Sequence, residues 1–502
     1  MPYTEPLIIL TADDISYHTS SVVESDCQMD AITESDCACP DNDFRLTSDT
    51  ALISQDQRYH YPLLHIDSIN DQFHLGFNPL GNSGVVVFNQ FVHDLMKVFT
   101  RPRNLVQGVQ FAGDPKDGLS VAQRLAKLGM LEPSGIQRGQ KRSHPQTLTA
   151  WIHVTNDCSL RCPYCYVHKT PNKMSLERGY QAIAAVFRSA ITHDFRRVKL
   201  KYAGGEATLN FSLVLALHKE AQLLAERHNL ELDGVVLSNG VAISNRMIEQ
   251  MRDHQLRLMI SLDGIGDFHD RQRPFVNGQG SFQHVERSLA RLEAHKFIPS
   301  ISVTITNENL TGLPQLVNYL LERQLPFTLN FYRENDCSAH FTQLRYQEEQ
   351  IIAAMKASFA VIANNLPPYN LLGTLVDRAR LDTMHDRPCG VGQSYMVIDQ
   401  HGSVAKCHME IEQTITDIAA EDPLKIIRQD RVGIQNIVVE EKEGCRDCTW
   451  RYWCAGGCPA LTYRATGRFD VKSPNCRIYK ALFPEVLRLE ALRILQYSQG
   501  SR

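Results

Sequence analysis

Between Leu148 and Glu334 strand-like and helix-like segments alternate without a break, and few folds can absorb that pattern. Short apolar, β-branched runs recur at Ala150–Val154, Val198–Tyr202, Leu232–Ser238, Leu258–Leu262, Ser300–Ile305 and Phe327–Tyr332. Between them, apolar residues at helical spacing mark Leu176–Ser189, Ser212–His228, Asn245–His254, Phe282–Ala294 and Leu313–Glu322. Strand–helix units joined by right-handed crossovers build a parallel sheet that curls toward a barrel. In such barrels chemistry sits at the C-terminal ends of the strands. The loops after these six strands are therefore where reactive residues are expected.

The first of those loops reads Cys158-Ser159-Leu160-Arg161-Cys162-Pro163-Tyr164-Cys165, a C-x3-C-x2-C spacing. Three thiolates can hold three irons of a four-iron cubane and leave the fourth iron open to an outside ligand; closely spaced cysteines of this kind hold low-potential clusters. A structural zinc loop is the competing reading, but zinc sites usually pair two C-x2-C knuckles, and the next cysteine is Cys337. A second set runs Cys389, Cys407, Cys445, Cys448, Cys454, Cys458 and Cys476. Here a zinc ribbon competes, because C-x2-C followed by C-x3-C can also bind zinc. Fourteen cysteines in a chain with no secretory signal point to metal rather than disulfides. Cys27, Cys37, Cys39 and Cys337 fall outside both sets and are expected to be free thiols. A net charge of −4 makes no electrostatic case for nucleic acid. No apolar run is long enough to span a bilayer. A cytoplasmic protein with neither membrane nor nucleic-acid partner is expected.

The cysteine loop, with an aromatic residue before its last Cys, resembles the signature of radical S-adenosylmethionine (SAM) enzymes. The C-terminal set, written C-x12-G-x4-C around Gly402 and then C-x2-C-x5-C-x3-C with a final Cys, resembles the SPASM extension of peptide-modifying members. The resemblance implies that Cys158, Cys162 and Cys165 hold a 4Fe–4S cluster whose open iron is chelated by SAM. Reductive cleavage of SAM would give methionine and a 5′-deoxyadenosyl radical that takes hydrogen from the substrate. It also implies two auxiliary iron–sulfur clusters, a distal one on Cys445, Cys448, Cys454 and Cys476 and a proximal one on Cys389, Cys407 and Cys458. Some relatives carry a further Cys just before the position of Cys389; here Met384-His385-Asp386 stands there, so the proximal cluster either keeps an open iron or is completed by Cys337 or another residue.

The remaining strand ends carry matching motifs. Gly204-Gly205-Glu206 follows the second strand; two glycines let a backbone turn close to a ligand, and the resemblance gives this motif the SAM amino group. Ser238-Asn239-Gly240 follows the third and would lie near SAM. After the fourth come Ser261-Leu262-Asp263-Gly264, His269-Asp270-Arg271-Gln272-Arg273 and Gly278-x-Gly280-Ser281-Phe282. By the same resemblance Ser261 would bond the ribose and Arg273 the carboxylate, which suits its planar fork. Asp263, His269 and Asp270 would support them from behind, Thr306 would touch the adenosine, and Tyr164 would pack near the adenine.

The expected architecture is an α/β chain built on a partial (β/α)6 TIM-like barrel over 143–375. A C-terminal SPASM iron–sulfur domain follows over 376–485, with a helix and tail over 486–502. Residues 1–57 are acid-rich and read as a loosely packed leader. Residues 58–142 read as strands at His60–His65 and Gln72–Phe77, a helix over Val85–Phe99 and another over Val121–Leu131. That order resembles winged-helix-like PqqD-like modules, which capture an extended leader peptide by adding a strand to a sheet edge. Trp450, Tyr452 and Trp453, between the C-terminal cysteines, either shield clusters or form a small core.

The implied function is post-translational modification of a ribosomally made precursor peptide, by an oxidative thioether or carbon–carbon cross-link. The electron donor would be a flavodoxin or ferredoxin. Alternatives are an anaerobic sulfatase maturase, a peptide epimerase or splicease, and a non-catalytic iron–sulfur electron carrier. Sulfatase maturases place an Asp base directly after the second SPASM cysteine; here His408 follows Cys407, and a histidine can also serve as a base near neutral pH.

Overall fold

The computed structural model describes residues 6–15, 44–48, 54, 56–81, 84–135 and 140–499. An N-terminal unit contains strands β1 (Ile9–Leu10), β2 (Leu46–Ser48), β3 (Arg58–His60), β4 (His65–Ser68), β5 (Phe73–Phe77) and β6 (Val85–Asn89). Helix α1 (Gln90–Lys97), β7 (Arg103–Asn104), α2 (Leu105–Phe111), α3 (Gly118–Lys127), β8 (Glu132–Pro133) and β9 (Gln140–Arg142) follow. The main sheet has the antiparallel order β1-β6-β5-β4; β7-β3-β8 and β2-β9 are small separate sheets.

Three expectations for this region change. The helix expected over Val85–Phe99 divides into a strand, Val85–Asn89, and a helix, Gln90–Lys97. Three consecutive valines and Phe88, all buried, favour the pleated surface, and the Asn89 side chain accepts from the Val92 amide at 3.3 Å to start the helix. The strand expected over His60–His65 is broken around Pro62, which has no amide to give a ladder. The leader expected over 1–57 contains strands at both ends of its described part, because Leu7-Ile8-Ile9-Leu10 carries apolar surface that pairs with β6. Cys27, Cys37 and Cys39 lie outside the described residues.

The alternating segment folds as expected. Strands β10 (Thr147–Thr155), β11 (Arg197–Gly204), β12 (Glu231–Ser238), β13 (Leu256–Ser261), β14 (Ser300–Ile305) and β15 (Phe327–Phe331) lie side by side in that order, all parallel. Helices α4 (Leu176–Thr192), α5 (Phe211–His228), α6 (Asn245–Asp253), α7 (Asp267–Gln272), α8 (Phe282–Ala294) and α9 (Leu313–Glu322) connect them. One face of each strand packs on these helices in a single large core: Ala150 and Ile152 of β10, Leu200 and Tyr202 of β11, Leu258 and Ile260 of β13. The alternate residues face the other way. Trp151, Ala203, Val235, Leu237 and Met259 form a separate cluster, and Lys199 and Lys201, fully buried, alternate with the core residues of β11. Parallel strands covered on both faces usually read as continuous apolar runs; here the inner face carries charge.

The chain continues with α10 (Glu348–Asn364), β16 (Tyr395–Ile398), β17 (Ser403–Ala405), β18 (Thr414–Asp417), α11 (Pro423–Gln429), α12 (Arg451–Cys454), α13 (Pro459–Thr466) and α14 (Cys476–Gln499). β16 pairs in parallel with β10, and β17 and β18 extend the sheet antiparallel to nine strands. The cysteine-rich region expected as a separate domain from 376 thus shares the barrel sheet. The boundary expected at 485/486 falls inside α14, one helix that runs through Pro484. Trp450 and Trp453 form the joint with the N-terminal unit. Phe77 lies 4.7 Å from Trp453 and 5.9 Å from Trp450, ring to ring, Phe483 backs Trp450 at 5.3 Å, and the Trp453 indole donates to Pro79 O at 2.8 Å. That places these aromatics in a core between elements. Among the described residues no helix is long and apolar enough to cross a membrane.

Candidate functional site

The cysteine loop leaves the C-terminal end of β10 and is held against its neighbours by backbone contacts. The Gly205 amide donates to Thr155 O at 2.7 Å and the Glu206 amide to Asp157 O at 2.9 Å. A Cβ on Gly204 would lie 2.3 Å from Thr155 O, and one on Gly205 2.4 Å from Asp157 O and 2.6 Å from Asn156 O. The glycines expected to admit a ligand therefore admit the cysteine loop itself: β11 can approach that closely only without side chains. On its other side the loop is pinned by the segment after α7, with the Arg161 amide donating to Pro274 O at 2.8 Å and the Val276 amide to Ser159 O at 3.2 Å.

Cys158 is buried, and Cys162 and Cys165 are partly exposed. The Leu160 amide donates to Cys158 Sγ at 3.4 Å and Lys169 Nζ to Cys165 Sγ at 3.1 Å. Burial pushes the Cys162 thiol up to about 12, with Arg273 opposing and the other two thiols adding to the rise. Burial also raises Cys158. Burial disfavours the Lys169 charge, but the three thiols outweigh it and raise its pKa. Lys169 is a member of this site that the spacing of motifs did not reveal.

Glu206, buried, gathers four donors. Its Oε1 accepts from the Thr208 amide at 3.1 Å, the Thr208 hydroxyl at 2.6 Å and the Ser238 hydroxyl at 2.8 Å, and its Oε2 accepts from the Asn239 amide at 2.6 Å. The Asn239 side chain reaches back to Ser159 Oγ at 3.4 Å. The motifs after β11 and β12 are thus joined to the cysteine loop through one carboxylate. In Glu206→Gln the new amide must face a donor, leaving a buried group unpaired at a cost of about 1–3 kcal/mol. We expect a thermal midpoint lower by several degrees, since a domain this large loses about 2–4 °C per kcal/mol; a midpoint within about a degree of the parent would remove Glu206 from this role.

A second knot lies after β13. The Tyr164 hydroxyl donates to Asp263 and receives Arg273, whose Nη1 is also 3.5 Å from Asp263 Oδ2. Asp263 Oδ1 accepts from the Thr304 amide at 2.8 Å. Burial raises the Asp263 pKa and Arg273 opposes it. Burial works against the Arg273 charge, yet Tyr164, Cys162 and Asp263 hold its pKa well above the usual value. Arg273 Nε, His269 Nε2 and Gln272 Nε2 are buried without a hydrogen-bond partner. Unpaired donors in one buried neighbourhood fit a site built to receive a polar ligand. Thr306 is fully buried and occupied, donating to Gln272 and accepting from the Glu308 amide at 3.1 Å, so the structure gives it the turn rather than a free surface for adenosine. Ser261 is partly exposed at the end of β13.

The seven C-terminal thiols sort into two groups. Burial pushes Cys454 up to about 12, with Cys445, Cys448 and Cys476 contributing. Burial likewise pushes Cys445 up to about 11, with Cys476 and Cys448 among its neighbours. Cys407 is raised by burial and then by Cys458 and Cys389. Cys389, Cys407 and Cys458 share a buried cluster with Trp151, Met259 and Tyr395 from the inner face of the barrel. Cys454 and Cys458 go to different groups although only four positions apart. Between them Ala455, Gly456 and Gly457 all take positive φ (45°, 79° and 70°) and turn the chain over. Lys442, buried, donates to Ala455 O at 2.9 Å and interacts with Cys445, Cys389 and Cys454, a cation between the two groups that the sequence did not single out. Among the described residues no three His, Cys, Asp or Glu side chains converge as a single ion requires.

Two further residues singled out in the sequence have these surroundings. Cys337 lies beside His168 Nε2 at 3.4 Å, with Cys165 among the charges that raise its pKa after burial. His408 is buried, stacked on Trp151 at 4.9 Å and bonded through Nδ1 to the Tyr395 hydroxyl at 3.1 Å.

Residues 152–320, from β10 through most of α9, match the family model of the Radical SAM superfamily. The barrel is a radical SAM domain. An uncharacterized protein of Archaeoglobus fulgidus is 22% identical over 66% of this chain and 79% of its own length. A cysteine-type anaerobic sulfatase-maturating enzyme of Clostridium perfringens is 18% identical over 66% of this chain and 93% of its own. Among solved structures, anSMEcpe with bound AdoMet and Cp18Cys peptide aligns with a TM-score of 0.55 at 18% identity, covering 71% of this chain and 100% of that one. That likeness is one of fold. The radical SAM match begins inside β10 and so includes the cysteine loop, Glu206, Arg273 and Thr306.

Proposed function

We propose that this chain is a radical SAM maturase that modifies a peptide, with Cys158, Cys162 and Cys165 holding a 4Fe–4S cluster and Glu206, Ser261 and Arg273 receiving SAM. When bound there, cluster and SAM supply a 5′-deoxyadenosyl radical able to take hydrogen from an unactivated carbon. The observation that carries the reading is convergence. The thiol loop, the Glu206 hub and the Arg273–Tyr164–Asp263 knot meet at the same strand ends of the barrel, with three buried donors still unpaired. Glu206 offers charge to an ammonium and Arg273 a fork to a carboxylate. Tyr164 and Asp263 orient Arg273, while the buried walls exclude water.

The two C-terminal thiol groups would hold a distal and a proximal auxiliary iron–sulfur cluster, the latter facing the barrel's inner side where a substrate residue would lie. A flavodoxin or ferredoxin would deliver electrons in the cytoplasm. The peptide reading draws on the sulfatase-maturating relatives and on the N-terminal module, whose PqqD-like role is leader capture. We favour an oxidative thioether or carbon–carbon cross-link. The names of those relatives favour a second reading, formylglycine formation, in which His408 would stand where a base is needed.

Anaerobic co-expression with a short peptide encoded beside the gene, followed by mass spectrometry, separates these. A cross-link lowers the peptide mass by about two units, located by fragmentation; formylglycine from Cys lowers it by about eighteen and from Ser by about two at that serine, as atom balance requires. Cleavage of SAM with an unchanged peptide mass would overturn the cross-link.

A further inference from the structure

Lys442 is 2% exposed. A buried ammonium is costly unless an opposite charge and hydrogen-bond acceptors surround it. Lys406, also buried, meets that requirement. It pairs with Asp430, and its Nζ donates to Val432 O at 2.8 Å and to Asp430 O and Ile434 O, each at 3.3 Å. Lys442 does not. Among the described residues its Nζ has one acceptor, Ala455 O at 2.9 Å, and no carboxylate paired with it.

The seat of this side chain is specific. Lys442 O accepts from the Cys445 amide at 3.1 Å and the Arg446 amide at 3.2 Å, so its main chain belongs to the distal thiol group. Its side chain crosses to the Ala455-Gly456-Gly457 turn, which separates Cys454 from Cys458. Gly456 has a φ of 79°, and a Cβ there would lie 2.6 Å from Lys442 Cδ and 2.9 Å from Nζ. Only a glycine leaves room for the ammonium at that point. Lys442 thus sits where the chain passes from one thiol group to the other, and its field reaches both. Burial disfavours its charge, and Cys445, Cys389 and Cys454 oppose that effect. In return, Lys442 opposes the rise that burial causes at Cys445 and Cys389.

The counter-charge that Lys442 lacks is one the thiol groups would carry once loaded. A thiolate-held iron–sulfur centre is negative and becomes more so on gaining an electron, and its net charge and surroundings set its potential. A fixed cation beside it favours the reduced state. We infer that Lys442 is the shared counter-charge of the two C-terminal centres, holding both at a more positive reduction potential and so readier to accept an electron. That those centres are iron–sulfur clusters rests on the maturase reading; the buried cation between the two thiol groups stands on the geometry.

The test uses the full-length, cluster-loaded protein, its Lys442→Met variant, which keeps the stem and removes the charge, and Lys442→Arg, which keeps the charge. Redox titration followed by electron paramagnetic resonance reads the potentials. Signals that respond to added SAM mark the barrel cluster, and the others are the C-terminal centres. At a fixed poise we expect the reduced-to-oxidised ratio of both C-terminal centres to fall about tenfold in Lys442→Met, a shift of about 59 mV for one electron, and to stay within about twofold of the parent in Lys442→Arg. The barrel cluster should not shift, and the Met variant should keep its iron. Removing an uncompensated buried charge is often neutral or stabilising, so the metal-free Met variant should melt no lower than the metal-free parent. Unmoved potentials in the Met variant would overturn the inference. So would loss of the C-terminal iron or a lower metal-free midpoint, because the lysine would then be holding the turn. A parent whose C-terminal thiols hold no iron would overturn this inference and the auxiliary clusters together. The shift without SAM cleavage keeps Lys442 in this role and removes the maturase reading, and SAM cleavage without the shift does the reverse.

Discussion

Replacing Cys158, Cys162 and Cys165 together by alanine is expected to abolish SAM cleavage, lowering 5′-deoxyadenosine formation by about 1,000-fold or more, a barrier increase of roughly 4 kcal/mol. The three thiols are neighbours in one loop and none has a second set within it to substitute. The variant should retain about two thirds of the reconstituted iron, because the two C-terminal groups are remote in sequence and separately enclosed. Replacing Cys448 and Cys454 instead should remove about one third of the iron and leave SAM cleavage within roughly tenfold of the parent. Iron analysis, electron paramagnetic resonance and product counting read both variants. A triple variant that still cleaves SAM, or that loses all its iron, would show that the thiols are wrongly partitioned.

Gly205→Ala should be the most damaging single change that touches no proposed ligand. The new methyl would sit against Asp157 O and Asn156 O, both backbone atoms of the loop that carries Cys158. Neither can rotate away, so strand β11 or the loop must move, at a cost of about 3 kcal/mol or more. The Gly205–Thr155 and Glu206–Asp157 main-chain bonds would be strained with it. The expected result is a lower thermal midpoint together with loss of about four irons of roughly twelve, the share of one cluster. Gly113→Ala, at a position where an added Cβ meets nothing within 4 Å but φ is 93°, separates backbone strain from collision: it should lower the midpoint without changing the iron. Equal iron loss in both would mean that the contact at Gly205 is not what seats the loop.

Much of the barrel was legible because its two periodicities are plain. The β10, β12, β14 and α5 segments announce themselves by spacing alone, and the observed bounds differ from the expected ones by only a few residues. What stayed hidden had a mixed local signal. Val85–Asn89 has apolar residues that serve a strand and a helix equally, and only its pairing with β1 and β5 decides between them. Tyr395–Ile398 is a four-residue run with no flanking helix to mark it as a barrel strand, yet its partner is β10. The alternation of Lys199 and Lys201 with Val198, Leu200 and Tyr202 was on view, and it could have shown that the inner face of the sheet is charged. The purpose of Gly204 and Gly205 could not be read, since the atoms they make room for belong to residues some fifty positions earlier.

The sequence by itself determined the parallel barrel, the thiol loop at the end of its first strand, and the motifs that end in Glu206 and Arg273, because each depends on spacing within a single strand–loop unit. Only the tertiary structure decided which of those groups touch. It put Cys337 beside His168, drew Tyr164, Asp263 and Arg273 into one knot, and laid residues 6–15 along β6. These are contacts between segments far apart in the chain. Their geometry is fixed by how helices and sheets pack over one another, and local periodicity carries no record of that.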